Sequence, residues 1–150
     1  MTNIFRIVFA VICIGNGLAM LVDPGRWYLT VPGVIFTGPL NVHFVRDIGC
    51  AYLVTGLSYL WLARNRDAWP AAAAGTAFLA FHAAVHLFEV ACGIVAPSTV
   101  LRDLPGVYLF PVVALWLAWP RPAAVGPAAR ALQGHSASTS ASAGLGGDTR

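Results

Sequence analysis

A chain of 150 residues in which 58% are hydrophobic and 10% charged lies outside the soluble range of roughly 45–50% apolar and about 25% charged, which marks a membrane protein. Its formal charge of +3 is carried by arginine alone, since there is no lysine, and those arginines follow membrane topology, giving no support for nucleic-acid binding. Cys13, Cys50 and Cys92 all fall in apolar stretches without a C-x-x-C pair, so neither a disulfide framework nor a zinc ribbon is indicated, and buried thiols acting as small hydrophobes are expected.

Crossing a bilayer as a helix takes about 20 largely apolar residues. Four segments qualify in chain order: residues 4–22, 43–64, 69–93 and 99–119. The fourth is the weakest, because Arg102, Asp103, Pro105 and Pro111 interrupt it. In the first, Arg6 precedes an apolar run as in a signal peptide, but the run is long for a signal and "LVDPGRW" offers no small-residue cleavage site. An uncleaved first span is therefore expected. The links make consecutive helices antiparallel, which predicts an all-α membrane protein, a four-transmembrane-helix up-down bundle, over residues 1–119. With a cytoplasmic N-terminus, Arg6, Arg64, Arg66, Arg121, Arg130 and Arg150 lie inside, and only Arg26 and Arg102 lie outside. The positive-inside bias then places both termini in the cytoplasm.

Between the first two spans, residues 23–40 are punctuated by Asp-Pro-Gly, Pro-Gly and Gly-Pro and carry Trp27 and Tyr28. Such dipeptides mark turns and the aromatic pair suits a membrane–water interface. This segment is too broken to span and too apolar to be a free loop, so it is expected to form an outer-side lid. "NRDAWP" joins spans two and three, with Asp67 expected to cap the next helix and Pro70 in its first turn. Residues 120–150 are rich in Pro, Ala, Ser and Gly, the composition of a disordered cytoplasmic tail; His135 belongs to it and to no site. Gly15, Gly17, Ala19, Gly49, Ala51 and Gly56 are expected at close helix–helix contacts, and Trp61, Trp69, Trp116 and Trp119 in a cytoplasmic aromatic belt.

Positions i, i+4 and i+7 share one helix face. His82, His86 and Glu89 have this spacing on the third span, as do His43, Asp47 and Cys50 on the second. The first span adds Asn16 toward its outer end. On the topology above all of these lie in the outer half of the membrane, where an unpaired charge costs several kcal/mol. They are expected to face each other or a cavity.

Several chemistries fit. Structural ion pairs, Arg46 with Glu89 or Arg102 with Asp47, would pin helix register. A metal site would use His43, His82, His86 and Glu89, enough for a transition metal such as zinc, iron or copper, whereas haem would take His43 together with His82 or His86. A small-molecule pocket would use Asn16, Arg46 and Asp47 for binding, with His86 and Glu89 as candidate catalytic acid and base in an isomerase or redox enzyme. An accessory subunit of a larger membrane complex, or a homo-oligomer, would use the same helices without chemistry.

The segments "WYLTVPGVIFTGPLNVHFVRDIGCAYLVTG" and "FLAFHAAVHLFEV" resemble a group of small, uncharacterised bacterial inner-membrane proteins that are loosely similar to DoxX-like four-helix proteins. The resemblance covers roughly residues 5–93 and implies a four-helix protein of the bacterial inner membrane. It brings no activity and no site residues.

Overall fold

The computed structural model describes residues 2–119; the expected tail over 120–150, with His135, lies outside them. The described residues form α1 (Thr2–Val22), α2 (Pro24–Thr30), a 3-10 turn (Val34–Phe36), α3 (Val42–Arg64), a second 3-10 turn (Arg66–Ala68), α4 (Trp69–Ala91), α5 (Thr99–Asp103), a π turn (Leu104–Tyr108) and α6 (Leu109–Ala118). There is no strand among them.

Three stretches are long and apolar enough to cross a membrane: Thr2–Val22, Arg66–Ala91 and Thr99–Ala118. The strong and weak spans are not the expected ones. α3 has the length of a span, with 23 residues, but His43, Arg46, Asp47, Thr55, Ser58 and Arg64 dilute its hydropathy, and it is not among the three. Thr99–Ala118, expected to be broken by its prolines, stays helical because the backbone widens. The Leu109 N–H bonds to the Leu104 carbonyl five residues back, and Pro105 sits in the first turn of that widened segment, where a missing N–H costs least.

Side chains cap the breaks. Asp23 Oδ1 accepts from the Arg26 N–H at 2.9 Å and opens α2, so the expected lid is a short helix and a 3-10 turn in place of irregular chain. Asn41 Oδ1 accepts from the Phe44 N–H at 3.1 Å and opens α3. Between α3 and α4 the cap is Asn65, whose Oδ1 accepts from the Asp67 N–H at 2.9 Å; Asp67, expected in that role, does not cap α4, which begins without a side-chain cap.

α1 and α3 pack backbone against backbone. A Cβ at Gly17 would lie 2.7 Å from the Gly49 carbonyl oxygen, and one at Gly56 would lie 2.8 Å from the Ala10 carbonyl oxygen. The two helices therefore run antiparallel, Gly17 meeting Gly49 while Gly56 meets Ala10. Gly15, expected in the same seam, has nothing within 4 Å of the place its Cβ would take.

The buried core runs from Met20, Val45 and Tyr52 to the end of the bundle that carries Arg6, Tyr59 and Leu117. Phe9 meets Tyr59 edge-on at 4.8 Å between ring centroids and Phe110 at 5.4 Å. Arg6 Nε donates to the Leu117 carbonyl at 3.0 Å, joining α1 to α6. Tyr59, fully buried, donates its hydroxyl to the Ala114 carbonyl at 2.6 Å and lies 2.6 Å from Thr76 Oγ1, so one side chain of α3 holds both α4 and α6. Replacing it by phenylalanine keeps the ring packing and deletes this node. Tyr59→Phe is expected to lower stability by about 1–2 kcal/mol, read from the midpoint of reversible unfolding in mixed detergent micelles.

Candidate functional site

Opposite that packed end the helices enclose a cavity of about 620 Å³, within the range of roughly 300–1,000 Å³ typical of small-molecule sites. Its walls are mainly apolar, with Met20, Ile48, Tyr52, Val85 and Phe110 among them. The 23–40 segment closes one side through Tyr28, Val31 and Thr37.

The segment is held by specific bonds. Trp27 Nε1 donates to Asn16 Oδ1 at 2.9 Å, fixing α2 on α1, and Asn16 Nδ2 reaches Met20 Sδ at 3.7 Å. The Tyr28 hydroxyl lies 2.7 Å from the Gly38 carbonyl oxygen and 3.3 Å from that of Ile35, which folds the segment on itself. Asn16 thus lines the cavity while serving as the lid's anchor.

The polar wall is made by α4 and α5. His86 Nδ1 lies 3.1 Å from Asp103 Oδ2, and Arg102 Nε donates to Asp103 Oδ1 at 2.8 Å. Asp103 is 9% exposed, so its carboxylate is shielded and matched by a donor on each oxygen, the arrangement a buried charge requires. Arg102 continues the chain of contacts to the lid: its guanidinium stands 5.9 Å from the centre of the Phe36 ring and occupies the place a Cβ of Gly33 would take. Gly33 also has φ +90°, a left-handed conformation that favours glycine, so that position is constrained twice. An uninterrupted chain runs from the lid through Arg102 and Asp103 to the His86 ring.

An ionised Asp103 can only accept, so the Nδ1 proton of His86 is the one that makes this contact, and in a neutral ring Nε2 would then be the lone-pair acceptor. The His82 ring stands edge-on to His86 at 4.9 Å between centroids and is stacked on Phe78 at 6.3 Å. Glu89 also lines the cavity; its carbonyl accepts from the Ile94 N–H at 2.9 Å, while its carboxylate makes no hydrogen bond or ion pair among the described residues. The Tyr108 ring lies 6.5 Å from that of His86; its hydroxyl is shielded from solvent and has no partner there.

Of the residues singled out by their spacing, Asn16, His82, His86 and Glu89 come together on the cavity. His43, Arg46 and Asp47 do not. His43 Nε2 and Asp47 Oδ2 are 3.4 Å apart on the outward face of α3, with side chains 88% and 60% exposed, and Arg46 Nε donates to the Leu21 carbonyl at 3.3 Å. The reason is rotational. α3 turns Val45, Gly49 and Tyr52 inward, because Gly49 and Gly56 must meet α1, and that choice sends His43, Asp47 and Cys50 out. Neither expected ion pair forms: Arg102 is bound to Asp103, not Asp47, and Arg46 reaches a backbone carbonyl, not Glu89. With His43 outside, the expected four-donor metal set and the haem pairing of His43 with His82 or His86 are not assembled; among the described residues no three His, Cys, Asp or Glu side chains are grouped to hold an ion. Cys50 and Cys92 are exposed while Cys13 is buried, so the expectation of buried thiols holds for one of three.

Along the sequence Asp103 reads only as an interruption of a span, and Arg102 as an interruption, an outer-side charge and a candidate partner of Asp47. Their signal was present in "LRDLPG", two adjacent charges inside an otherwise apolar run, the pattern that marks paired groups at membrane depth. No protein family, curated protein or solved structure matches this chain.

Proposed function

We propose that this chain is a multi-pass protein of the bacterial inner membrane, a four-span up-down bundle with both termini in the cytoplasm, whose outer-half cavity binds a small, mostly apolar molecule carrying a hydrogen-bonding head group. Three helices apolar enough to cross a membrane support the location. α3 completes the set as a fourth span, since it packs antiparallel to α1 over its length and is itself 23 residues long. The arginine asymmetry supports the orientation, and the resemblance to DoxX-like inner-membrane proteins agrees with it.

The observation that carries the binding reading is His86, held by a shielded carboxylate at 3.1 Å on the wall of an apolar cavity. A histidine oriented in this way presents Nε2 to the cavity as an acceptor for a hydroxyl or N–H of the ligand. Glu89, three residues along α4, supplies a second unpaired group on the same wall. This pair also supports a second reading, a proton-transferring enzyme with His86 as base and Glu89 as its acid–base partner.

The test is extraction of the protein from native membranes in polymer nanodiscs, followed by mass spectrometry of the organic extract and elemental analysis of the same sample. A small molecule near one per chain is expected in the parent. His86→Ala should retain its helical spectrum and lose that molecule, with affinity reduced about 5- to 150-fold for one buried hydrogen bond of about 1–3 kcal/mol. An empty parent, or a His86→Ala protein that keeps the molecule fully, would overturn the binding reading; a stoichiometric metal lost in His86→Ala would replace it by the metal reading.

A further inference from the structure

The outward side of α3 differs from that of every other long helix described. α1 presents Ile4, Val8 and Val11, α4 presents Phe81 and Phe88, and α6 presents Val112, Leu115 and Trp116, all groups that lipid tails solvate well. α3 instead presents His43, Asp47, Cys50, Val54, Leu57 and Trp61, alternating steps of four and three residues. That is the 3.5-residue period of a helix–helix seam, continued along more than four turns. The upper part of the stripe is polar and the lower part apolar.

Depth makes the polar part costly. At 1.5 Å per residue Asp47 lies about 21 Å along the axis from Trp61, so with Trp61 in the cytoplasmic aromatic belt Asp47 lies inside a hydrocarbon layer about 30 Å thick. An acidic group that faces lipid at such a depth is unfavourable unless it is paired, and its 3.4 Å contact with His43 of its own helix satisfies one oxygen only. A covering surface must bring a donor at the level of Asp47 and an acceptor at the level of His43, above an apolar stretch that meets Val54 and Leu57.

A second copy has that surface. Copies inserted by the same topology rule point the same way, so two α3 helices meeting in one bilayer are parallel, and like depth meets like depth. In a parallel seam each side chain at one core position also neighbours the next core position of the facing helix, which places His43 of each copy beside Asp47 of the other. We propose that two copies of this chain pair through the outward face of α3, around a twofold axis along the membrane normal, with crossed His43–Asp47 contacts, Cys50 facing Cys50 of the partner subunit, and an apolar seam from Val54 to Trp61. The pairing rests on α3 being a membrane span. It does not depend on what the cavity binds, because His43, Asp47 and Cys50 lie outside the cavity wall.

The test is cross-linking in carbonate-washed membranes of a full chain carrying Cys13→Ala and Cys92→Ala, which leaves Cys50 as its single cysteine. Copper–phenanthroline takes two electrons from two thiols, which release two protons as the S–S bond forms, and this requires Cα atoms within about 7 Å. A reducible band at twice the 15.8 kDa chain mass is expected for most of the protein. A variant with Cys92 alone, also exposed, should give at least five-fold less dimer under the same conditions. Adding Asp47→Ala to the Cys50-only chain should lower the dimer several-fold while far-UV circular dichroism stays unchanged. Monomer only, equal cross-linking through Cys92, or an adduct of a different mass would overturn the pairing; the last would give the face to another membrane protein. Release of the chain by carbonate would overturn the membrane-span reading, and the seam with it.

Discussion

Gly56→Leu should abolish accumulation of the folded protein, whereas Gly15→Leu, one site over on the neighbouring helix, should be tolerated. At Gly56 even the first added carbon would lie 2.6 Å from Ile14 Cγ1, 2.8 Å from the Ala10 carbonyl oxygen and 3.0 Å from the Ile14 nitrogen. Two of those three atoms are backbone, so no side-chain rotation relieves the clash, and α1 must move away from α3. Overpacking of this kind costs about 1–3 kcal/mol per added group, and leucine adds several carbons. The loss extends beyond one contact, since the same separation opens the Gly17–Gly49 approach and withdraws Asn16, which anchors Trp27 of the lid. The measurement is the yield of monodisperse protein after mild-detergent extraction, with Gly15→Leu prepared alongside; at Gly15 nothing lies within 4 Å of the new carbon. Equal yields for the two variants would contradict the backbone contact described above.

Asp103→Ala should have the second large effect, on stability and on the site together. The carboxylate joins three elements: α4 through His86 at 3.1 Å, its own helix through Arg102 at 2.8 Å, and the lid through the Arg102–Phe36 stacking. Removing one partner of a buried ion pair typically costs 3–5 kcal/mol. Arg102 is about one third exposed, so water recovers part of the lost pairing, and about 2–4 kcal/mol is the expected loss. The site should respond separately. Without an acceptor at Nδ1 the His86 ring loses its tautomer preference and its orientation, so ligand retention should fall in Asp103→Ala nearly as far as in His86→Ala. The double variant should lose little more than either single change, the non-additivity expected of residues that act as one unit. Additive losses in ligand retention would show that Asp103 and His86 act independently and would sink the orienting role of Asp103. Asp103→Asn separates shape from charge: it keeps a hydrogen-bond acceptor near Nδ1, so it should recover part of the orientation without the ion pair.

Composition alone determined the class. With 58% hydrophobic and 10% charged residues the chain has too little polar surface for a soluble fold, and segment length followed from bilayer thickness. Helical spacing also identified His82, His86 and Glu89 as a single stripe on α4, and they do share the cavity wall. These properties are local, since a period of 3.6 residues is set by backbone geometry before any helix meets another.

Which way each stripe faces was decided only by packing. His43, Asp47 and Cys50 have the same spacing as the α4 stripe and point outward, because the rotation of α3 about its axis is set by Gly49 and Gly56 against α1, glycines that the sequence marks for close helix contact without saying which helix each meets. The same holds for Arg102 and Asp103, read along the chain as breaks in a weak span. Once the π turn at Leu104–Tyr108 carries the helix past Pro105, Asp103 sits level with His86, 17 residues earlier in the chain. The sequence by itself determined that this chain is helical, apolar and polar-striped. The tertiary structure decided which stripe became a cavity and which an outer face, because a side chain's partners depend on the rotation and register of whole helices, and those are set by the few positions where two backbones come closest.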